Sequence, residues 1–469
     1  MADRSRPNGG ARLEIPPIAT ELGERFRLAG HELYLVGGVV RDLLLGRELG
    51  ADLDFATDAL PRETTKVLRG WAERVYLVGV RFGTVGARRA GQVLEITTFR
   101  EEVYAQEHRK PAVTFGKDLR TDLSRRDFTV NAMAIRLPDG EFLDPFGGVK
   151  DLAAKRLDTP LDPEIAFSED PLRMLRAARF AAQLDLVPAP RVLRAIEQMH
   201  DRLEIVSAER INEELTKLLL AEAPSRGLEL LVDTGLAGEF LPELAALQLE
   251  QDPVHKHKDV LHHTLAVVEK TEATGDPTLR LAALLHDVGK PRTRAITPEG
   301  VSFHHHEVVG ARMARERLQA LRYPAHVVDD VARLVEMHLR FHGYTEWSDS
   351  AVRRYVRDAG PLLDELNQLT RADCTTQNRF KAKKLEALQD DLEERIARLA
   401  EEENLDAMRP PLDGMQVMEH LGIPPGPAVG RALDHLMELR LERGPIDEDE
   451  GYRLLDEWWV IERDTPGDR

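Results

Sequence analysis

A chain of 469 residues has room for two to four domains, and its 5% aromatic and 31% charged content, rich in Leu, Ala, Arg and Glu, argues against an all-β protein. The single cysteine, Cys374, excludes an internal disulfide and a cysteine-based zinc cluster, leaves metal chemistry to His, Asp or Glu, and suits a reducing cytoplasm. A net charge of −18 argues against a uniformly basic binder of phosphates, although Arg88, Arg89, Arg100, Arg109, Lys110, Arg120, Arg125 and Arg126 crowd one early segment and allow a basic cleft in an acidic protein.

Met1 to Arg12 is polar, without the charged-apolar-small order of a signal peptide, and no apolar run approaches the 18 residues of a membrane span. Residues 1–25 read as a flexible tail. Short β-rich runs then follow at Leu33 to Val36, Leu53 to Ala56, Val75 to Val78, Thr84 to Arg88, Val93 to Thr98 and Ala132 to Arg136, which predict one small sheet. From about Pro171 the spacing turns helical, as in Leu172, Leu175 and Ala178, then Ile211, Leu215 and Leu218. Breaks at Val187-Pro188-Ala189-Pro190, Gln251-Asp252-Pro253, Thr297-Pro298-Glu299-Gly300 and Arg409-Pro410-Pro411 divide the rest. The expected architecture is multidomain and mostly α: a small α/β head with one mixed sheet (26–160), then an all-α neck (161–253), middle domain (254–375) and tail (376–469).

The head carries the first chemical signal, Leu-Val-Gly-Gly-Val-Val-Arg-Asp from Leu35 and Ala-Asp-Leu-Asp-Phe-Ala-Thr to Thr57. Gly37 and Gly38 let the backbone approach a phosphate and present N–H groups at a helix start, with Arg41 in the first turn to pair with phosphate charge. On a strand Asp52 and Asp54 share one face while Leu53 and Phe55 take the other. Two hard oxygen ligands on one face suit Mg²⁺, which commonly takes one or two carboxylates plus substrate phosphates. Glu95, on a second predicted strand, is the expected third carboxylate. Each piece alone has a bland reading, since Asp-x-Asp is common on a solvated strand edge; the combination is more specific.

With these motifs the chain resembles the nucleotidyltransferase superfamily, in particular the bacterial tRNA nucleotidyltransferase and poly(A) polymerase group. Arg125-Arg126-Asp127-Phe128-Thr129-Val130-Asn131-Ala132-Met133 resembles the group's ribose-recognition motif, which implies that Arg126 and Asp127 contact the nucleotide. Asp144-Pro145-Phe146-Gly147-Gly148 resembles its head–neck hinge, the run from Glu169 to Phe180 its base-selecting helix, and Glu209 to Leu215 the neck helix that follows. The resemblance covers about residues 30 to 250, with the motifs in the group's order. It implies that Asp170 and Arg173, three apart, face one bound base: a carboxylate only accepts hydrogen bonds and a guanidinium only donates them, so the pair suits the amine and ring nitrogen of cytosine or adenine and rejects uracil and guanine. Without a nucleotide the same pair reads as an ordinary helix salt bridge. Arg176 and Arg179 are assigned by the resemblance to nucleotide phosphates or the tRNA acceptor end.

Further on stand His262-His263, Leu285-His286-Asp287-Val288-Gly289-Lys290, His304-His305-His306, Met337-His338 and Arg371-Ala372-Asp373. This region resembles the HD phosphohydrolase fold. The likeness implies a divalent metal on His263, His286, Asp287 and Asp373, with His306 and His338 as second-metal or phosphate groups, and phosphatase or cyclic phosphodiesterase activity on nucleotide or tRNA ends; the bland reading is a scaffold. Three functional readings follow. The first is addition or repair of the 3′-terminal CCA of tRNA, with Mg²⁺, CTP, ATP and a tRNA 3′ end as partners, which is favoured because Val80-Arg81-Phe82-Gly83-Thr84-Val85 resembles the tRNA-acting members rather than the polymerases, which usually carry an Arg-rich stretch there. The second is a poly(A) polymerase. In the third the HD region is the enzyme and the head a non-catalytic RNA-binding module, against which Asp52, Asp54 and Arg126 stand intact.

Overall fold

In the computed structural model, which describes residues 13–77, 79–102, 113–116, 118–248, 259–297, 300–374, 379–403 and 408–463, the chain forms two compact units, residues 1–240 and 241–469. The first opens with helix α1 (Pro17–Leu28) and runs through β1 (Leu33–Val36), α2 (Gly38–Leu44), β2 (Asp52–Thr57), α3 (Pro61–Leu68), β3 (Arg74–Tyr76), β4 (Thr84–Arg89), β5 (Gln92–Thr98), β6 (Arg100–Glu102), β7 (Val113–Phe115), α4 (Leu119–Ser124), β8 (Ala134–Leu137), β9 (Glu141–Leu143) and α5 (Gly148–Ala153). Seven strands form one sheet in the order β3-β4-β5-β2-β1-β8-β9, while β6 and β7 pair separately. Only the β2–β5 pairing in the large sheet is parallel, with Asp54 opposite Glu95. The hairpin from β4 to β5 turns on Ala90 and Gly91, both at positive φ (48° and 81°), between the paired Arg89 and Gln92. Positive φ at both central residues is the turn that matches strand twist.

The sheet is covered on both sides, which is why Leu-Tyr-Leu-Val in β1 is apolar throughout. Leu33 and Leu35 join Leu53, Phe55, Leu94 and Ile96 in one core, and Tyr34 and Val36 join Ala56, Phe99 and Ala134 in the other. Helix α1 closes the first core, with Leu22 and Phe26 wholly buried. The expected tail therefore ends earlier than residue 25. Pro16-Pro17 reads as loop-like, but Pro17 sits in the first helical turn, where a missing N–H costs nothing.

Helices complete this unit: α6 (Pro163–Glu169), α7 (Leu172–Leu184), α8 (Pro190–Met199), α9 (Ala208–Leu219), α10 (Pro224–Asp233) and α11 (Ala237–Phe240). The break at Val187-Pro188 is a short strand, β11, paired in parallel with β10 (Arg156–Leu157).

The second unit is helical apart from one hairpin: α12 (Pro242–Ala245), α13 (Val260–Lys270), α14 (Thr278–Leu285), α15 (Lys290–Thr293), β12 (Ala295–Thr297), β13 (Gly300–Ser302), α16 (His306–Ala320), α17 (Ala325–Met337), α18 (Asp349–Ala359), α19 (Leu363–Asp373), α20 (Arg379–Glu403), α21 (Gly414–Leu421), α22 (Pro427–Arg443) and α23 (Glu448–Glu462). The expected break at Thr297 to Gly300 joins this hairpin, and that at residues 251–253 lies outside the described residues. The last three helices share a core of Leu412, Val417, Ala432, Leu436, Leu454 and Leu455. A buried ionic knot ties them to the rest: Arg353 on α18 donates to both oxygens of Glu403 (2.8 and 2.7 Å) and to the Leu441 carbonyl (3.1 Å), and Arg440 reaches the same glutamate at 3.3 Å. Among the described residues no helix is long and apolar enough to cross a membrane.

Candidate functional site

The alternation of β2 turns Leu53 and Phe55 into the core and leaves Asp52 and Asp54 exposed on the opposite face. The parallel register then sets Glu95 beside Asp54, also outward, between the buried Leu94 and Ile96. Asp54 and Glu95 line a cavity of about 290 Å³ with Thr97, Arg100, Arg125, Arg126 and Arg173. Burial by the concave wall raises the Asp54 carboxyl above its ordinary range, helped by Asp52 and opposed by Arg126. Burial also raises Glu95, with Asp54 and then Asp52 adding to it. Asp52, Asp54 and Glu95 are oxygen donors that repel one another, the ligand type a hard divalent cation takes. Gly37 starts α2 at φ +78°, and a Cβ there would lie 2.9 Å from Nη1 of Arg126. The positive φ is what calls for glycine, while a side chain there would also displace the tip of Arg126.

Beside this wall three of the predicted arginines surround one ring. The guanidinium carbons of Arg41, Arg176 and Arg179 lie 5.6, 5.4 and 4.4 Å from the centre of Phe180. Arg41 donates to Asn131 Oδ1 (2.7 Å) and to both Asp42 oxygens (3.0 Å each), while Arg176 and Arg179 reach Glu214 at 3.3 and 3.2 Å. Burial and then Arg176 lower the Arg179 guanidinium to about 10.

Asp127 differs from the expectation of a nucleotide contact. It is 8% exposed, and its oxygens accept from the Phe128 N–H (2.8 Å), from Asn131 (3.0 Å) and from Arg176 Nε (2.9 Å) and Nη2. Burial alone would raise its carboxyl; Arg176 and these donors outweigh it and hold it at about 2. Asp127 anchors the arginine cluster.

Asp170 and Arg173 also depart from the expected helical pair. Asp170 follows α6 in extended conformation (φ −144°, ψ 99°) and Pro171 caps α7, so the two do not share a helix. Asp170 accepts from Arg210 Nη2 (2.8 Å) and the Leu172 N–H (3.2 Å). Arg173 donates to the Ala166 carbonyl (3.1 Å), Glu169 (3.2 Å) and the Arg125 carbonyl (2.5 Å). The bland reading of an i, i+3 salt bridge fails as well. Arg210, Asn131, Glu214 and Phe180 take no role of their own from the sequence, although all four lie within the quoted runs, because their partners stand too far away in the sequence for spacing to show.

In the second unit the predicted ligands gather at helix ends. Asp259 caps α13 by accepting from the His262 N–H (3.0 Å), which sets His263; His286 ends α14, His306 begins α16, His338 ends α17 and Asp373 ends α19. His263 Nε2 lies 2.8 Å from Asp373 and 3.3 Å from His286 Nε2, and His286 Nε2 lies 3.2 Å from Asp287. Lys290 Nζ donates to Asp287 at 2.6 Å. Burial lowers His338 to about 3 and opposes the rise that Asp287 causes at His286. A Cβ on Gly289 would sit 2.1 Å from the His306 carbonyl, so only glycine allows the turn after Asp287 to meet α16. His263, Asp287, His338 and Asp373 line a cavity of about 350 Å³ together with Lys290, Phe303, Phe341 and Tyr344.

Residues 33–158 match the poly A polymerase head domain, 185–248 the probable RNA and SrmB-binding site of polymerase A, and 260–423 the HD domain. The HD match runs past residue 375, where the sequence spacing placed a boundary. The chain is 34% identical over 350 residues to the CCA-adding enzyme of Anoxybacillus flavithermus, covering 74% of this chain and 76% of that one. It is 45% identical over 208 residues to the CCA-adding enzyme of a Geobacillus species, 44% of this chain and 50% of that one. Among solved structures, the Bacillus stearothermophilus CCA-adding enzyme in complex with CTP superposes with a TM-score of 0.72 at 28% identity, covering 96% of this chain and 100% of that chain.

Proposed function

Because the chain belongs to the family of CCA-adding enzymes, we propose that it adds or repairs the 3′-terminal CCA of tRNA, using CTP and ATP and releasing pyrophosphate. The observation that carries this is the parallel β2–β5 register, which aligns Asp54 with Glu95 on the face that Asp52 shares. Asp52 and Asp54 would hold Mg²⁺, which lowers the barrier to in-line attack by the tRNA 3′-hydroxyl on the nucleotide α-phosphate. Glu95 orients that site from the neighbouring strand. Gly37 and Gly38 bring backbone N–H groups to the phosphates, and Arg126 on the cavity wall supplies a positive charge to them or to the sugar. Arg41, Arg176 and Arg179, fixed by Asn131, Asp127 and Glu214, form a positive platform beside it.

Asp170 and Arg173 read the base in this scheme. Their hydrogen-bonding groups are held by Arg210, Glu169 and backbone carbonyls, so a cytosine or adenine takes over those partners on entry. Uracil and guanine, which present the opposite pattern, leave both groups unpaired, and sites of this kind discriminate by up to about 10⁴. Incubating the protein with tRNA lacking its terminal nucleotides and each labelled NTP singly tests the reading. Terminal C followed by A supports it. Long A tails would make the protein a poly(A) polymerase, and no incorporation would leave the head non-catalytic.

A second activity is favoured by the cluster of His263, His286, Asp287 and Asp373, which fits a divalent cation and supports hydrolysis of phosphate esters at nucleotide or tRNA ends. An Asp52→Ala variant of the full chain, silent in nucleotide addition, should still release phosphate from 2′- or 3′-phosphorylated substrates in a metal-dependent way. Absence of any such release across Mg²⁺, Mn²⁺ and Ni²⁺ would refute it.

A further inference from the structure

The face of the head sheet that carries the carboxylates continues past them to the sheet's edge. Side chains at paired positions share a face, so the register extends the row of Asp54 and Glu95 to Gly86 on β4 and Tyr76 on β3, and the row of Asp52 and Val93 to Arg88 and Arg74. The opposite face belongs to the core, where Val85 and Ala87 are buried and Val75 packs against it. The ring of Tyr76 lies along the open face of Gly86: the place a Cβ would take there is 3.4 Å from Tyr76 Cβ and 3.5 Å from its Cδ2. Tyr76 is 38% exposed.

Arg74 and Arg88 stand opposite each other across the β3–β4 pair, both exposed, and among the described residues neither forms an ion pair. Like charges directly opposed on a sheet destabilise it. A charge on an edge strand guards against stray pairing, which accounts for Arg74 but not for Arg88, one strand further in. An anion laid across both removes the repulsion. The carboxylates divide this face in two. Gly37 after β1, Arg126 beside it, and Asn131, which holds Arg41 ahead of β8, lie on the β1 side of Asp54, whereas Tyr76 and the two arginines lie on the β5 side. Three strand spacings of about 4.8 Å put Tyr76 about 14 Å from Asp54, the length of about four stacked nucleotides at about 3.4 Å each. An aromatic ring beside cations is how proteins hold single-stranded nucleic acid.

We propose that Tyr76, Arg74 and Arg88 form a subsite for the single-stranded end of the acceptor RNA, with the ring stacked on a base a few nucleotides before the reacting 3′-hydroxyl and the arginines on the phosphates beside it. The inference rests on the nucleotide-adding reading of the head and names the side from which the acceptor reaches the carboxylates. Stacking is tolerant of sequence, which suits an acceptor whose last bases change with each addition.

The test uses the full chain and a tRNA lacking only its terminal A, with 2-aminopurine as the unpaired nucleotide next to the acceptor stem. Binding should quench the 2-aminopurine fluorescence. Tyr76→Ala should abolish that quenching and raise KM for the tRNA about tenfold while KM for ATP stays the same; Tyr76→Phe, which keeps the ring, should restore both. Arg74→Gln with Arg88→Gln should flatten the slope of log affinity for the tRNA against log salt by about 1.4, the share of two single-strand phosphates. Full quenching in Tyr76→Ala overturns the proposal, as does an unchanged salt slope. A rise in KM for ATP in place of the tRNA would give the ring to the incoming nucleotide and also overturn it. A wild-type chain that adds A without quenching overturns it and leaves the nucleotide-adding reading intact; one that adds nothing overturns both. If Tyr76→Ala fails to fold, the wild-type quenching and the salt slope of the arginine variant decide the matter.

Discussion

Replacing Asp127 by asparagine keeps the shape of the side chain and removes the charge that Arg176 is bound to. The amide oxygen can still accept from the Phe128 N–H and Asn131, but an NH₂ group then faces Arg176, which is left with Glu214 at 3.3 Å. Holding a carboxyl that ordinarily titrates at 3.8 down at about 2 stabilises the fold by about 2.5 kcal/mol at neutral pH. Losing one or two charge-assisted hydrogen bonds, at about 1.5–3 kcal/mol each, gives a similar figure. The sign follows from the direction of the shift: a depressed carboxyl stabilises fully above its unfolded value and stops doing so as pH falls through its folded value. The gap between wild type and Asp127→Asn should therefore be about 2.5 kcal/mol at pH 7, about half of that at pH 3, and about 0.4 kcal/mol at pH 2. Trp71 is the single tryptophan of the first unit, so changing Trp347, Trp458 and Trp459 to phenylalanine makes fluorescence in urea report on that unit alone. A gap below about 0.5 kcal/mol at pH 7, or one that does not shrink on acidification, would refute the anchoring role.

Asp54→Ala should reduce nucleotide incorporation by about 10³ or more with the urea midpoint nearly unchanged, since the side chain lies outside both cores; single-turnover incorporation measures it. Asp170→Ala with Arg173→Ala should admit UTP and GTP, and a double variant that still takes only CTP and ATP would show that the base is read elsewhere. Glu403→Ala strands Arg353 and Arg440 together, each 7% exposed, and should cost about 3–5 kcal/mol, read as a lower melting temperature. Ala90→Asn, at φ 48° in an exposed turn, should stabilise the head by about 0.5–1 kcal/mol, because asparagine enters the left-handed region more readily.

What could be read from the sequence was local in origin. The shared face of Asp52 and Asp54 follows from a period of two, and the strands of the head sheet follow from β-rich runs between turns. The histidines of the second unit were legible because helix ends carry them in recognisable runs. What escaped were pairings between distant segments. Arg176 lies 49 residues from Asp127 and 35 or more separate Arg176 and Arg179 from Glu214, distances across which periodicity carries no information. Asp170 escaped for a different reason: Pro171 begins a new helix, which breaks the three-residue spacing on which the expected pairing depended. Helix α1 was hidden behind two prolines, and the short β6–β7 ribbon beside residues with too few alternating positions to register.

The exposed turn at Ala90 and Gly91 has a bearing on chemistry that its position would not suggest. Loop tips ordinarily tolerate insertions. This one counts residues into β5, and because side chains alternate, a single inserted residue that the turn does not absorb, so that β5 slips by one position against its neighbours, exchanges the two faces of the strand. Glu95 would then point at Leu53 and Phe55, and Leu94 or Ile96 would stand where the third carboxylate belongs. Whether the aspartates have that companion is set by parity: the length of a two-residue surface loop, on the far end of the hairpin, is part of the active-site specification.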